Sequence, residues 1–152
     1  MSWFNKRNTA PVPIIVPVPF SEQLLLWVEE LAWFERESSG LVSTAVFSKL
    51  RRIHDVLLEL SDFITRYDVQ AEEEYILKAT VTDYIPSALA LFNQLPASAQ
   101  VDGREADLLL QQQCDSIERS LRQLVKDMHE QAQNALVTQT RFVDERFRNS
   151  PM

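Results

Sequence analysis

Apolar residues recur at Ala106, Leu110, Cys114, Ile117, Leu121, Leu124 and Met128, in alternating steps of four and three. That spacing is a heptad seam. It predicts one uninterrupted helix from Asp102 to about Phe147, packed knobs-into-holes against other helices. Asp102 and Glu105 form an Asp variant of the capping box. Glu105 and Asp107 suit the positive first turn, and Arg141, Arg146 and Arg148 suit the negative end. At about 1.5 Å per residue this helix runs roughly 65 to 70 Å, longer than a compact domain of this size is wide. Either other segments cover the excess or it projects.

Three earlier segments carry stripes to match. Ser21 and Glu22 open a first helix with Leu24, Trp27, Leu31 and Phe34 on one face, widened by Leu25, Val28 and Ala32 and ended near Ser39 and Gly40. So wide an arc predicts two neighbours. A second helix, from about Leu41 to Tyr67, places Val46, Leu50, Ile53, Leu57, Leu60, Ile64 and Tyr67 in register. The third has Leu77, Val81, Tyr84, Ala88, Leu91 and Leu95, with Pro86 inside the pattern. A proline there removes a donor and clashes with the carbonyl four residues earlier, so a kink or restart is predicted between Asp83 and Pro86. Residues 1–20 alternate Pro11, Pro13, Pro17 and Pro19 with Val12, Ile14, Ile15, Val16 and Val18, which forbids a helix. This leader is expected to be extended or disordered, or to act as a docking peptide.

The expected fold is all-α. It is an antiparallel bundle of about four helices with a long C-terminal helix, the Pro-rich leader occupying 1–20 and the bundle domain 21–149.

Composition sharpens this picture. The 152-residue chain has two glycines, where an average content of about 7% would give roughly ten, and β-rich folds depend on glycine at positive φ. A net charge of −7, with no long basic run, argues against general nucleic-acid binding. The single cysteine, Cys114, sits on the seam, so it forms no intramolecular disulfide and points to a reducing compartment. No apolar run approaches the roughly 18 to 20 residues that span a bilayer, and no signal-peptide core is evident. A cytoplasmic location follows, peripheral at the inner membrane face at most, because Trp3, Phe4, Lys6 and Arg7 alone make a weak anchor.

Candidate chemistry is thin. His54 and His129 lie on different helices, and no phosphate loop, nucleophile elbow or metalloprotease pair occurs. Lys49, Arg51 and Arg52 beside His54 and Asp55 form a small basic cluster that reads as a solvated face before an anion site. Glu72, Glu73 and Glu74 point in different directions around a helix and suit its first turn rather than a cation. Cys114 on a seam is expected to be buried and inert. No catalytic, cofactor-binding or metal-binding residue is assigned, and no cofactor is expected.

Two stretches carry a resemblance. Thr82-Asp83-Tyr84-Ile85-Pro86-Ser87-Ala88-Leu89 through Leu95-Pro96, and Thr140-Arg141-Phe142-Val143-Asp144-Glu145-Arg146-Phe147, resemble the XpaC-like family, also called the bromochloroindolyl phosphate hydrolysis family. The resemblance spans roughly residues 75–148. It implies a helical bacterial protein considered alongside TelA-type toxic-anion resistance proteins, and no catalytic residue that carries over. Many members look membrane-anchored at the N-terminus, whereas this chain has only the proline leader.

The functional expectation is therefore a non-enzymatic helical interaction or scaffold protein, linked by resemblance to toxic-anion or envelope stress and to a TelA-like protein partner. The alternative is the phosphate-ester hydrolase of the family's name. The interaction surface is placed at the far end of the long helix. There the seam thins to Ala132, Ala135 and Gln139 before Phe142, Val143 and Phe147 return beside Arg141, Arg146 and Arg148. About 25 Å of helix is left over once the second and third helices have covered what they can. Aromatic and arginine side chains are enriched at interface hot spots, so the tip suits a protein partner or a homo-oligomer. The competing expectation is that the leader or the first helix folds back over it.

Overall fold

The computed structural model describes residues 17–38 and 40–149. Residues 1–16 of the expected leader lie outside this range. Pro17, Val18 and Pro19 are exposed and non-helical. Among the described residues all regular structure is helical: α1 (Phe20–Ser38), α2 (Thr44–Phe63), α3 (Ala71–Ala79), a π-helical turn (Thr80–Tyr84), α4 (Ile85–Asn93), a 3₁₀ turn (Ala97–Ala99) and α5 (Glu105–Arg148). α3, the π turn and α4 form one rod, so four rods alternate in direction, as the apolar stripes require. Their shared core is built from Leu24, Val28 and Leu31, from Leu50, Ile53, Leu57 and Leu60, and from Leu110, Leu121 and Met128, all buried.

The most extensive pairing joins α2 to α5, and these two helices run the same way. Ser43 meets Asp107, Lys49 meets Asp115, Arg52 meets Glu118, and Tyr67 meets Gln131, a nearly constant offset along both chains. α1 packs on α2 and on the π turn, while α4 packs on α5.

The ends of these helices differ from expectation, because local groups decide where backbone amides find acceptors. α2 begins at Thr44 rather than Leu41, since the Ser43 hydroxyl accepts the Val46 amide at 3.2 Å. It ends at Phe63 rather than Tyr67, where Thr65 donates its hydroxyl to the Asp62 carbonyl. α5 begins at Glu105, with Arg104 at the cap and no side-chain cap bond, so the expected Asp102 box does not form. Asp107 takes over. Its Oδ1 accepts the Ser43 hydroxyl at 2.6 Å, and its Oδ2 accepts the Gly103 amide at 2.9 Å and the Gln111 amide at 3.0 Å. Gly103 turns the chain into α5 at φ +79°, a conformation open to glycine.

Pro86 interrupts the third rod less than a kink would. The ring of Pro86 should strike the Thr82 carbonyl in an unbroken α-helix, and the five-residue π turn just before it widens the spiral instead. Ile85 donates to the Thr80 carbonyl across that turn. The extra residue shifts the buried face by one position. Leu77 and Val81 are buried as expected and Ala88 packs at the edge of the core, but Ile85, Leu89 and Phe92 take its centre in place of Tyr84 and Leu91. Leu91 is 63% exposed and Tyr84 49%, against 1% for Leu89. Leu95, also expected in register, lies beyond the helix and is exposed. In α1 the stripe instead runs Leu24, Val28, Leu31, Glu35 and Ser38, with Leu25 outside it.

Two stability measurements check this account. Leu89→Ala should cost about 2 to 5 kcal/mol in urea unfolding and Leu91→Ala less than about 0.5 kcal/mol; equal losses would contradict the one-residue shift. Asp107→Ala should cost roughly 2 to 3 kcal/mol, because it leaves the buried Ser43 hydroxyl and the Gly103 amide without their acceptor.

Candidate interaction surfaces

Three features could carry function: the far end of α5, a groove beside α4, and a buried carboxyl on α1. The first follows from helix lengths. The last contacts along α5 are Phe63 against the His129 ring at 4.5 Å and the Tyr67 hydroxyl donating to Gln131 Oε1 at 2.5 Å. Burial presses the Tyr67 phenol upward from its usual range, and the Glu73 carboxylate adds to that. From 132 to 149 every residue of α5 and its cap is exposed except the half-buried Val143. This projection is about 25 Å long, the excess expected from the helix lengths. α1 does not fold back over it.

Helical periodicity sorts the projection's side chains. At 100° per residue, Ala132, Ala135, Leu136, Phe142, Val143 and Phe147 share one arc, with Gln139 and Arg146 inside it. Phe142 is 57% and Phe147 77% exposed. Of the five residues expected at the tip, Phe142, Val143, Arg146 and Phe147 thus stand together, with Arg146 and Phe142 lining one shallow cleft beside Glu145 and Asn149. Arg141 falls on the opposite face.

The groove is a product of the π turn. By turning Tyr84 and Leu91 out of the core, it sets them, with the half-buried Ala88, across from Leu109 and Ile117 on α5 in a cleft of about 640 Å³. An adjoining cleft of about 660 Å³, sharing Tyr84, Ser116 and Ile117, continues toward Ile76, Leu124 and Asp127. Sequence periodicity could not find this groove, because it assigned Tyr84 and Leu91 to the core.

Glu35 was missed for a different reason. It occupies a heptad position of the α1 stripe and is only 5% exposed, with Oε1 lacking a hydrogen-bond partner. Burial pushes its carboxyl up to about 7. The signal was present, as a carboxylate interrupting the four-three spacing Leu24, Val28, Leu31, Glu35. A cleft of about 380 Å³ beside it is lined by Arg36, Arg51, His54 and Asp55 as well as apolar Phe47 and Leu58. Its mixture of signs selects no ligand charge.

The remaining candidates serve structure. Lys49 and Arg52, read as part of a solvated basic face, reach across to Asp115 and Glu118 of α5 at 2.5 and 2.9 Å and tie the parallel pair together. Burial, with Asp115 second, pushes the Cys114 thiol up to about 11, which leaves it unreactive as a nucleophile. His54 and His129 remain apart, His129 lying against Phe63. Among the described residues no group of acidic, histidine or cysteine side chains could hold a metal ion, and no helix is long and apolar enough to cross a membrane.

The Glu35 environment makes a pH prediction. Its folded-state carboxyl binds a proton more tightly than the unfolded one, whose value is 4.5. Stability is therefore highest below that value and declines as pH rises towards and through about 7, by on the order of 3 kcal/mol in full. Glu35→Gln should flatten this slope, measured as urea midpoints at about pH 5 and about pH 8. A slope unchanged by the substitution would refute the assignment.

No protein-family model matches the chain, and no curated protein and no solved structure matches it either.

Proposed function

We propose that this protein is a non-enzymatic helical scaffold whose α5 projection docks another protein. One observation carries the reading. The chain extends a helix about 25 Å past the last residues that pack on it, and that extension keeps two phenylalanines, a leucine and a valine on one arc, with Gln139 and Arg146 between them. A solvated spacer gains nothing from such an arc, whereas a docking helix presents this pattern of anchors to a partner. The groove beside α4 adds a second apolar surface, through Leu91 and Leu109. A hydrolytic role would need convergent polar groups in one pocket; Asp83, Ser87, Ser116, Arg119 and Asp127 border this groove, but its surface is largely apolar and suits a docked partner better. Toxic-anion or envelope stress, with a TelA-like partner, remains the cellular setting that the XpaC-like resemblance suggests.

A photoreactive phenylalanine analogue at 142, in cells that naturally make the protein, tests the docking role. It should yield a discrete covalent adduct that is missing when the analogue replaces Gln133, on the outer face of the same helix. Absence of any adduct from 136, 142 and 147 would refute it.

A further inference from the structure

Resting on that docking role, we infer that the partner seated on the projection is a second copy of this chain, with the two projections pairing antiparallel about a two-fold axis near Gln139. Size is the first argument. The half of the arc nearest the bundle holds Ala132 and Ala135, and the far half holds Phe142, Val143 and Phe147. Antiparallel pairing about residue 139 sets Val143 opposite Ala135, Arg146 opposite Ala132 and Phe142 opposite Leu136, so every large side chain meets a smaller or adaptable one. Parallel pairing would stack Phe142 on Phe142 and leave the alanines facing a void.

Length is the second argument. The projections leave their bundles at about Gln131, where Tyr67 ends the cover, and α5 ends at Arg148. Centred on Gln139, each tip reaches the end of the other bundle without overshooting. Phe147 arrives opposite Gln131, beside the Phe63, Tyr67 and His129 cluster.

Charge is the third. The tip of α5 carries Arg146 and Arg148 in its last turn, while the last turn of α2 holds Asp62, paired at 3.5 Å with Arg66 just beyond the helix, and is followed by Asp68. Antiparallel pairing brings Arg146 of one copy towards the negative end of α2 in the other, while Arg148 falls on the outer face with Arg141, and parallel pairing would place Arg146 against Arg146. Such an interface buries on the order of 1,000 Å² in total, the lower bound for a specific contact, which suits a dimer with a dissociation constant on the order of micromolar.

Sedimentation of the full chain tests this. The wild type should be a dimer at about 100 µM and dissociate on dilution to about 1 µM. Phe142→Glu should remain monomeric throughout with an unchanged melting temperature. A wild type that stays monomeric, or a Phe142→Glu variant that stays dimeric, overturns the proposal. A Phe142→Glu variant that unfolds also overturns it, since the arc would then be core covered by its own chain. Orientation is read with cysteines, against the buried Cys114 background. Leu136→Cys and Phe142→Cys chains should cross-link when mixed and not when alone, and the reverse would establish a parallel pair and sink the antiparallel one. The in-cell adducts separate this inference from the docking role: an adduct of twice the chain mass supports both, an adduct of any other mass keeps docking and removes the dimer, and none removes both.

Discussion

Two helices that begin at the same level and run the same way place two positive dipole ends side by side. α2 and α5 do this, and the carboxylate of Asp107 is the group that makes the arrangement stable. It lies in the first turn of α5, accepts the hydroxyl of Ser43 that caps α2, and accepts the Gly103 amide of the incoming loop. One buried anion thus answers two helix N-termini. Burial by itself would raise the Asp107 pKa, but its three hydrogen bonds outweigh that effect and hold it below the usual range, so the charge is retained where it is needed. Every later level of the bundle inherits the register set here, down to Tyr67 on Gln131.

That register also determines where the fold stops. α2 is shorter than α5, and a parallel partner aligned at its start must run out before the longer helix does. The projection is a direct consequence of pairing a 20-residue helix with a 44-residue one from a common origin. A different offset would move the point on α5 at which the cover ends. Lys49 and Arg52, reaching to Asp115 and Glu118, resist such a slip, although exposed pairs of this kind contribute modestly to stability.

The third rod shows how one residue can move a surface. Pro86 cannot donate to the helix ladder, and the π turn before it absorbs the steric conflict at the cost of one extra residue per spiral. The apolar stripe then rotates, so Leu89 enters the core and Leu91 leaves it. The groove facing α5 exists because of that rotation.

Periodicity in the sequence was sufficient for the number of rods, their helical class, the seam from Ala106 to Met128 and the length of helix left uncovered, because these depend on spacing and on rise per residue alone. It also grouped Phe142, Val143, Phe147, Arg141 and Arg146 at the tip, without resolving that the turn of the helix sets Arg141 on the opposite face. What only the tertiary structure decided was anything that depends on an acceptor or an offset outside the local window. The role of Asp107 required knowing that Ser43, 64 residues away, lies beside it. The burial of Glu35 required knowing how α1 packs on α2 at that level. The exposure of Leu91 required knowing that the chain would answer Pro86 by widening into a π turn rather than kinking, a turn on which α1 also packs.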